Sequence, residues 1–234
     1  LCEPSPATVD AIIAGLRLAG VPDKNLVMWD MWGFSASPLS SRYAKTAMQV
    51  KPIRSWGFGS RRYKIRSGPA VRFTNALHKV DAVVNIPVIK DHSLAGITCA
   101  LKNMALGSVP NPWSYHAGRG GSRNCDPMVA EIYALPPIKD KARLIVADAF
   151  HIIIDGGPQG NTRGRRKLDS VFAARDPVAM DRVAWTLIDQ ERARSRLPKL
   201  ALRSSGAPSH VLSAARLGLG VADPRRIEHT VKRL

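Results

Sequence analysis

Lys90, Asp91, His92 and Ser93 place a cation, a carboxylate, an imidazole and a hydroxyl in succession after an apolar run, Asp81-Ala-Val-Val-Asn-Ile-Pro-Val-Ile89. Lys102 follows ten residues after His92, and His116 fourteen residues after Lys102. An imidazole gives or takes a proton near neutral pH, and a lysine attracts anions, so these three residues could serve proton transfer if the fold gathers them. Taken singly, each has a plainer use. A loop histidine is usually hydrogen-bonded, a helix lysine usually reaches water, and Asp91 reads as a loop-capping carboxylate.

The elements that must position these groups can be read around them. The β-branched run suits a strand buried on both faces of a parallel sheet. Pro87 donates no backbone hydrogen bond, which predicts that the strand ends near Ile86. Lys90 to Ser93 are then expected in a loop beyond its carboxyl end, where open α/β sheets bind ligands. After Gly96, Ile97 to Leu106 reads as a helix that stops near Gly107, and a Pro-rich loop from Val109 returns His116.

Upstream, Ser5 is a candidate cap for a helix with Pro6 in its first turn and Val9, Ile12, Ile13 and Leu16 at helical spacing. Asn25 to Asp30 reads as a strand. Asp30 at its carboxyl end either binds a ribose, metal or substrate hydroxyl, or caps the turn into the loop with Trp32, Gly33 and Phe34. Pro38 to Met48 reads as a short helix, Ser60 to Arg66 as a strand or hairpin arm, and Phe73 to Val80 as a helix. Pro127 to Leu135 reads as another helix, which Pro136-Pro137 breaks.

Downstream, Ala142 to Asp148 reads as a core strand with Asp148 at its carboxyl end. The turn-rich stretch from Asp155 to Lys167 carries Arg163 and Arg165, which could clamp a phosphate or carboxylate or simply be solvated. Ser170 to Ala174 reads as a strand. Asp176-Pro177 reads as the cap and first position of a helix toward Gln190, with Asp181 favouring that helix's dipole. Arg192 to Lys199 is expected to be an exposed basic tail, Pro208 to Leu217 a helix, and Arg226 to Leu234 a strand or short helix. The alternation predicts a single α/β domain over 1–234, with a largely parallel sheet, helices on both faces and a ligand site at the carboxyl ends of the strands.

Several of these stretches resemble the uncharacterised conserved family called domain of unknown function 362. They are Ile86 to Asn103 (IPVIKDHSLAGITCALKN) with its following loop and histidine, Leu144 to Ala149, Asp155 to Gly160, Arg175 to Asp181 and Gly218 to Pro224. The pattern His92-x3-Gly96-x5-Lys102 with His116 is more distantly similar to the cofactor segment of nickel-pincer lactate racemases. That resemblance implies an acid/base role for His92, a tether at Lys102 for a nickel- or other metal-bearing nucleotide, and a metal ligand at His116. Those racemases have a glycine pair shortly before the lysine. This chain has Cys99 and Ala100 instead, which opposes close approach of a nucleotide. Many members of the family resembled are joined to ferredoxin-type cysteine motifs. Here Cys2, Cys99 and Cys125 form no C-x-x-C pair, so no iron–sulfur cluster is expected from this chain alone.

The 234 residues carry 35 Lys and Arg against 18 Asp and Glu, a net charge of +17. Met31 to Val80 contains ten Lys and Arg and no acid, and His92 to Cys125 is also free of acids. Such a field favours a small anionic substrate, a phosphate-bearing cofactor or an acidic ferredoxin-like partner. It is also compatible with a merely basic surface. The glycine-rich loop Ala117 to Asn124 lacks the spacing of a phosphate loop, and no nucleic-acid-binding module is recognisable. No apolar run approaches the roughly 20 residues that span a bilayer. The chain begins at Leu1, which reads as truncation. Cytoplasmic location is the default expectation, with an exported form left open. The function classes are therefore an enzyme of proton or hydride transfer on a small organic acid, a redox accessory protein docking an iron–sulfur partner, and a basic anion- or nucleic-acid-binding protein.

Overall fold

The computed structural model describes residues 3–31, 38–116, 125–204 and 206–232. The aromatic loop residues Trp32 and Phe34, the glycine-rich loop Ala117 to Asn124 and Cys2 lie outside the described residues. Helix α1 (Pro6–Leu18) leads to β1 (Val27–Asp30), then α2 (Pro38–Tyr43), β2 (Gln49–Pro52), α3 (Ile53–Trp56) and α4 (Asn75–Lys79). The central stretch gives β3 (Val83–Asn85), β4 (Val88–His92), β5 (Gly96–Thr98) and α5 (Ala100–Leu106). There follow α6 (Met128–Tyr133), α7 (Pro136–Lys139), β6 (Ala142–Ile153), β7 (Arg165–Ala174), α8 (Pro177–Arg194) and α9 (Ser209–Arg216).

The fold is α/β. Strands β1 and β2 pair in parallel as a small separate sheet. In the main sheet β6 is central, with β3 and then β4 parallel to it on one side and β7 antiparallel on the other. Strand β5 folds back antiparallel on β4. Among the described residues parallel pairing joins β1 to β2, β3 to β6 and β4 to β6, and antiparallel pairing adds the edges β5 and β7.

Pro87 interrupts the organising strand without ending it. It has no N–H to offer, but its carbonyl accepts from Asp148 N at 2.8 Å, and pairing with β6 resumes at Val88. Lys90, Asp91 and His92 therefore lie in β4 and not in a loop, which corrects the sequence expectation. The predicted helix also starts later: residues 96–98 form β5, because Gly96 adopts φ +80° and lets the chain turn back onto His92. A side chain at Gly96 would lie 2.7 Å from Pro208, so the turn is closed by close packing as well.

Strand β6 runs past Asp148 to Ile153, since β7 pairs with it from Ala174 to Arg165. Asp148 thus stands mid-strand rather than at the carboxyl end. Helix α1 begins as predicted, with Ser5 Oγ accepting from Thr8 N and Pro6 at its first position. Asp176 caps α8 by accepting from Val178 N and Ala179 N. The segment from Arg192 is not the expected solvated tail. Arg192 is 2% exposed and donates to Ile154 O, Pro198 O and Asp155. Residues 60–66 contribute only an isolated bridge, Tyr63 to Val71, and residues 227–232 form no regular element.

One large core packs Phe73, Leu77, Ile89, Ile97, Leu101, Ile132 and Ile145 around the main sheet. A second, small one joins Val9 and Ile13 of α1 to Tyr43 and Met48. No helix of the described residues is long and apolar enough to cross a membrane.

Candidate functional site

All five residues of β4 are buried, including Lys90, Asp91 and His92. Charged side chains are rarely so buried unless paired, and side chains alternate between the faces of a strand. Asp91 therefore faces away from its two neighbours. On its face, Asp91 Oδ2 accepts from Arg203 at 2.7 Å and Oδ1 from Gly157 N at 2.7 Å. Ser93 N donates to Gly157 O, which closes the latch. A Cβ on Gly157 would fall 2.0 Å from Asp91 O, so only glycine fits there. Burial raises the Asp91 carboxyl, and Arg203 works against that rise.

The other face carries Lys90 and His92 of β4, with Thr98 of β5 opposite Lys90. His92 Nδ1 accepts from Leu94 N at 3.1 Å and Ala95 N at 3.2 Å, so its proton is on Nε2. Burial, then the charges of Lys102, His116 and His210, lowers its pKa to about 2, and the ring stays neutral. The His116 ring stands 5.4 Å away, centroid to centroid. Its Nδ1 lies 2.9 Å from Pro112 O, a group that can only accept. His116 Nδ1 therefore carries the proton and Nε2 the lone pair, and burial lowers its pKa too. The two imidazoles are held in opposite tautomers by different backbone groups.

Lys102 lies in the first turn of α5, 7% exposed. No hydrogen bond or ion pair reaches its amine among the described residues. Burial, opposed by Cys125 and reinforced by Lys90, lowers its pKa to about 8. Its charge opposes protonation of His92, His116 and His210, so it stands within electrostatic reach of all three. His210, fully buried at the start of α9, has neither ring nitrogen hydrogen-bonded, and burial lowers its pKa to about 3. Asp181 of α8 stands 3.9 Å from it. That carboxylate accepts from Ala100 N at 2.6 Å and Leu101 N at 3.2 Å, so it caps α5 rather than its own helix, and burial raises it to about 7. The buried Thr98 hydroxyl also lacks a partner.

Of the residues singled out in the sequence, His92, Lys102 and His116 come together. The others do not join them. Asp30 lines a separate groove of about 770 Å³ between α1 and β1 on one side and β3 and α5 on the other. Asp148 accepts from Ser5 N, Thr8 Oγ1 and Phe150 N, which fixes α1 to the sheet. Arg163 and Arg165 are exposed at the entry to β7. Sequence reasoning missed His210, whose neighbours lie on other helices and leave no local signal, and it gave Asp181 to the dipole of its own helix, whereas the carboxylate caps α5. The burial of Lys90 was signalled only by the apolar residues before it.

A metal-bearing nucleotide is not well matched by these residues. Among the described residues no three His, Cys, Asp or Glu side chains are placed to hold a metal. The first N–H groups of α5, which a phosphate would need, already bind Asp181. Cys99 and Ala100 are completely buried.

No curated protein matches the chain. The family described as "Domain of unknown function (DUF362)" matches residues 5–186, which include β4, Lys102, His116 and Asp181 but not His210. That span exceeds half of the chain, and the protein belongs to the DUF362 family.

Proposed function

We propose that this protein is an enzyme that moves a proton to and from a carbon atom of a small organic anion, an isomerase-like reaction. The observation that supports the reading is the pair of opposed tautomers. His92 offers an N–H and His116 a lone pair, each fixed by backbone groups. A carbon acid between them would lose its proton to His116 Nε2 while His92 Nε2–H stabilises the charge that develops on oxygen. The division of labour differs from the one the racemase resemblance implies, because a ring with a pKa of about 2 serves as a neutral hydrogen-bond donor and not as a protonated acid. Lys90 and Lys102 supply attraction for a carboxylate.

Exchange of substrate C–H for deuterium tests this. The full-length protein in heavy water, given a panel of 2-hydroxy and 2-oxo acids, is expected to exchange the hydrogen at one carbon of at least one acid. His116→Gln should slow exchange by about a hundredfold or more. Exchange equally fast in that variant rules His116 out as the base.

A second reading has its own observation. Lys51, Arg54, Arg61, Arg62, Lys64, Arg66 and Arg72 are exposed in a stretch without acids, which suits docking of an acidic iron–sulfur partner. This reading predicts binding to a ferredoxin that weakens steeply between low and physiological salt. Salt-independent or absent binding removes it.

A further inference from the structure

Every other buried charge described above has a partner. Asp91 has Arg203 and Gly157, Arg192 has three acceptors, Asp181 has the start of α5, and Asp148 holds α1. Even the part-exposed Lys141 gives its amine to Leu77 O and Val80 O. Lys102 is as buried as Lys90 and donates to nothing among the described residues. A lysine kept as a structural cation takes up carbonyls or carboxylates. One kept as a nucleophile has to be held away from them, in surroundings that favour the neutral amine.

We propose that Lys102 is a covalent catalyst whose ε-amine condenses with the ketone of a 2-oxo acid to form an imine. The inference rests on the proton-transfer reading above and names its substrate class. The amine lone pair makes the C–N bond, and the carbonyl π pair moves to oxygen. His116 Nε2 carries one proton from that nitrogen to the oxygen. A second proton, from solvent, lets the oxygen leave as water, and the iminium remains. The adjacent C–H pair then flows into the C=N bond and its proton goes to His116, giving an enamine; no oxidant or reductant is consumed. Lys90, on the same face of β4 as His92, supplies the charge that attracts the substrate carboxylate.

The carbon chemistry supports a covalent step. A proton next to a carboxylate alone is hard to remove, because the electron pair left behind has no good acceptor, whereas an iminium is such an acceptor. Arg192 and Arg203 cannot replace it as the electron acceptor, since both are engaged by carboxylates. Depression of the Lys102 pKa by burial agrees with this use of the amine.

The experiment traps the imine. Full-length protein is incubated with pyruvate or 2-oxoglutarate and cyanoborohydride, and its mass and peptide map are recorded. The expected result is one stoichiometric, saturable adduct on Lys102, at least tenfold above any other lysine and absent from Lys102→Met. Deuterium exchange into the same acid is measured in parallel, with circular dichroism to confirm that the variant is folded. Exchange in the native protein that persists in Lys102→Met without trapping overturns the imine and leaves the acid/base reading standing. Neither trapping nor exchange overturns both. Adducts spread evenly over surface lysines, or a Lys102 already carrying a mass increment with bound metal in the purified protein, also overturn the imine.

Discussion

The two faces of β4 treat charge in opposite ways. On one, Asp91 is enclosed by Arg203 and the Gly157 amide, and each of its oxygens has a donor. On the other, His92, Lys102 and His210 keep an N–H, an amine and two ring nitrogens away from any protein partner described. Desolvation is costly on both faces, but on the second the hydrogen bonds reach His92 Nδ1 and leave these other groups without compensation. The Asp91 face therefore stabilises the fold, and the unpaired groups of the His92 face subtract from stability. Substitutions on the two faces should move stability in opposite directions.

The largest effect is expected where a paired charge is broken. Arg203→Met leaves the fully buried Asp91 carboxylate with the Gly157 amide alone, a loss of about 3–5 kcal/mol. Urea unfolding at neutral pH should show it. Burial already raises the Asp91 pKa, and removing the guanidinium raises it further. The loss should then shrink on acidification, as the carboxyl takes up a proton and no longer needs the cation. A variant as stable as the parent at pH 7 would mean that the two faces do not differ.

Lys102→Met is the converse. The folded pKa of about 8 lies below the ordinary 10.5, so folding penalises the protonated amine. The penalty is absent above the unfolded pKa, grows as pH falls, and is complete below about pH 8. Replacing the amine with an apolar chain should stabilise the protein by about 3 kcal/mol at most at pH 7, at 1.36 kcal/mol per pKa unit, and by nothing above pH 10.5. Activity should disappear in the same variant. A destabilised Lys102→Met would sink the contrast, because it would show that the amine has a partner.

Much of the frame behind this contrast was legible, and the reasons for what was not are physical. Ser5 with Pro6 and Asp176 with Pro177 are local capping signals, and both helices start where they predict. The grouping of His92, Lys102 and His116 was read from their spacing around a strand and a helix, although the strand was ended too early and the helix begun too early. The extent of β4 did not follow, because Pro87 marks a break, while the register of β6 decides whether pairing resumes. Asp181 carries a helix-start signal for its own helix, yet its carboxylate caps another one eighty residues upstream in sequence. His210 reaches the site only through the packing of α9, which no spacing within the chain encodes.

His210→Leu should act more weakly than the lysine change and in the same direction. Removing two unpaired ring nitrogens from a fully buried position should stabilise the fold by about 1–2 kcal/mol at neutral pH. The folded pKa of about 3 lies below the ordinary 6.5, so the unfolded chain binds one more proton between those values and the parent loses stability as pH falls through them. The stability gap between variant and parent should widen there by up to 1.36 kcal/mol per pH unit. Asp181, raised by burial to about 7 and 3.9 Å from the ring, works against that slope in both proteins.

The smallest effect is expected at Asp148, where sequence reasoning placed a cofactor ligand. Its carboxylate accepts from Ser5 N and Thr8 Oγ1 at the start of α1 and from Phe150 N within β6. Asp148→Asn keeps the shape but replaces one acceptor oxygen with a donor, facing an N–H or a hydroxyl. The hydroxyl of Thr8 can turn to accept, while the Ser5 amide cannot, so roughly one hydrogen bond is lost, a cost of about 1 kcal/mol or somewhat more. Proton exchange at substrate carbon should be unchanged, because the carboxylate is taken up by the start of α1 and by Phe150 N. Amide hydrogen exchange would localise the loss: protection should fall in α1 and remain in β4 and β6. A variant that keeps α1 protected but loses activity would return Asp148 to the site and make the paired side of the molecule part of the chemistry.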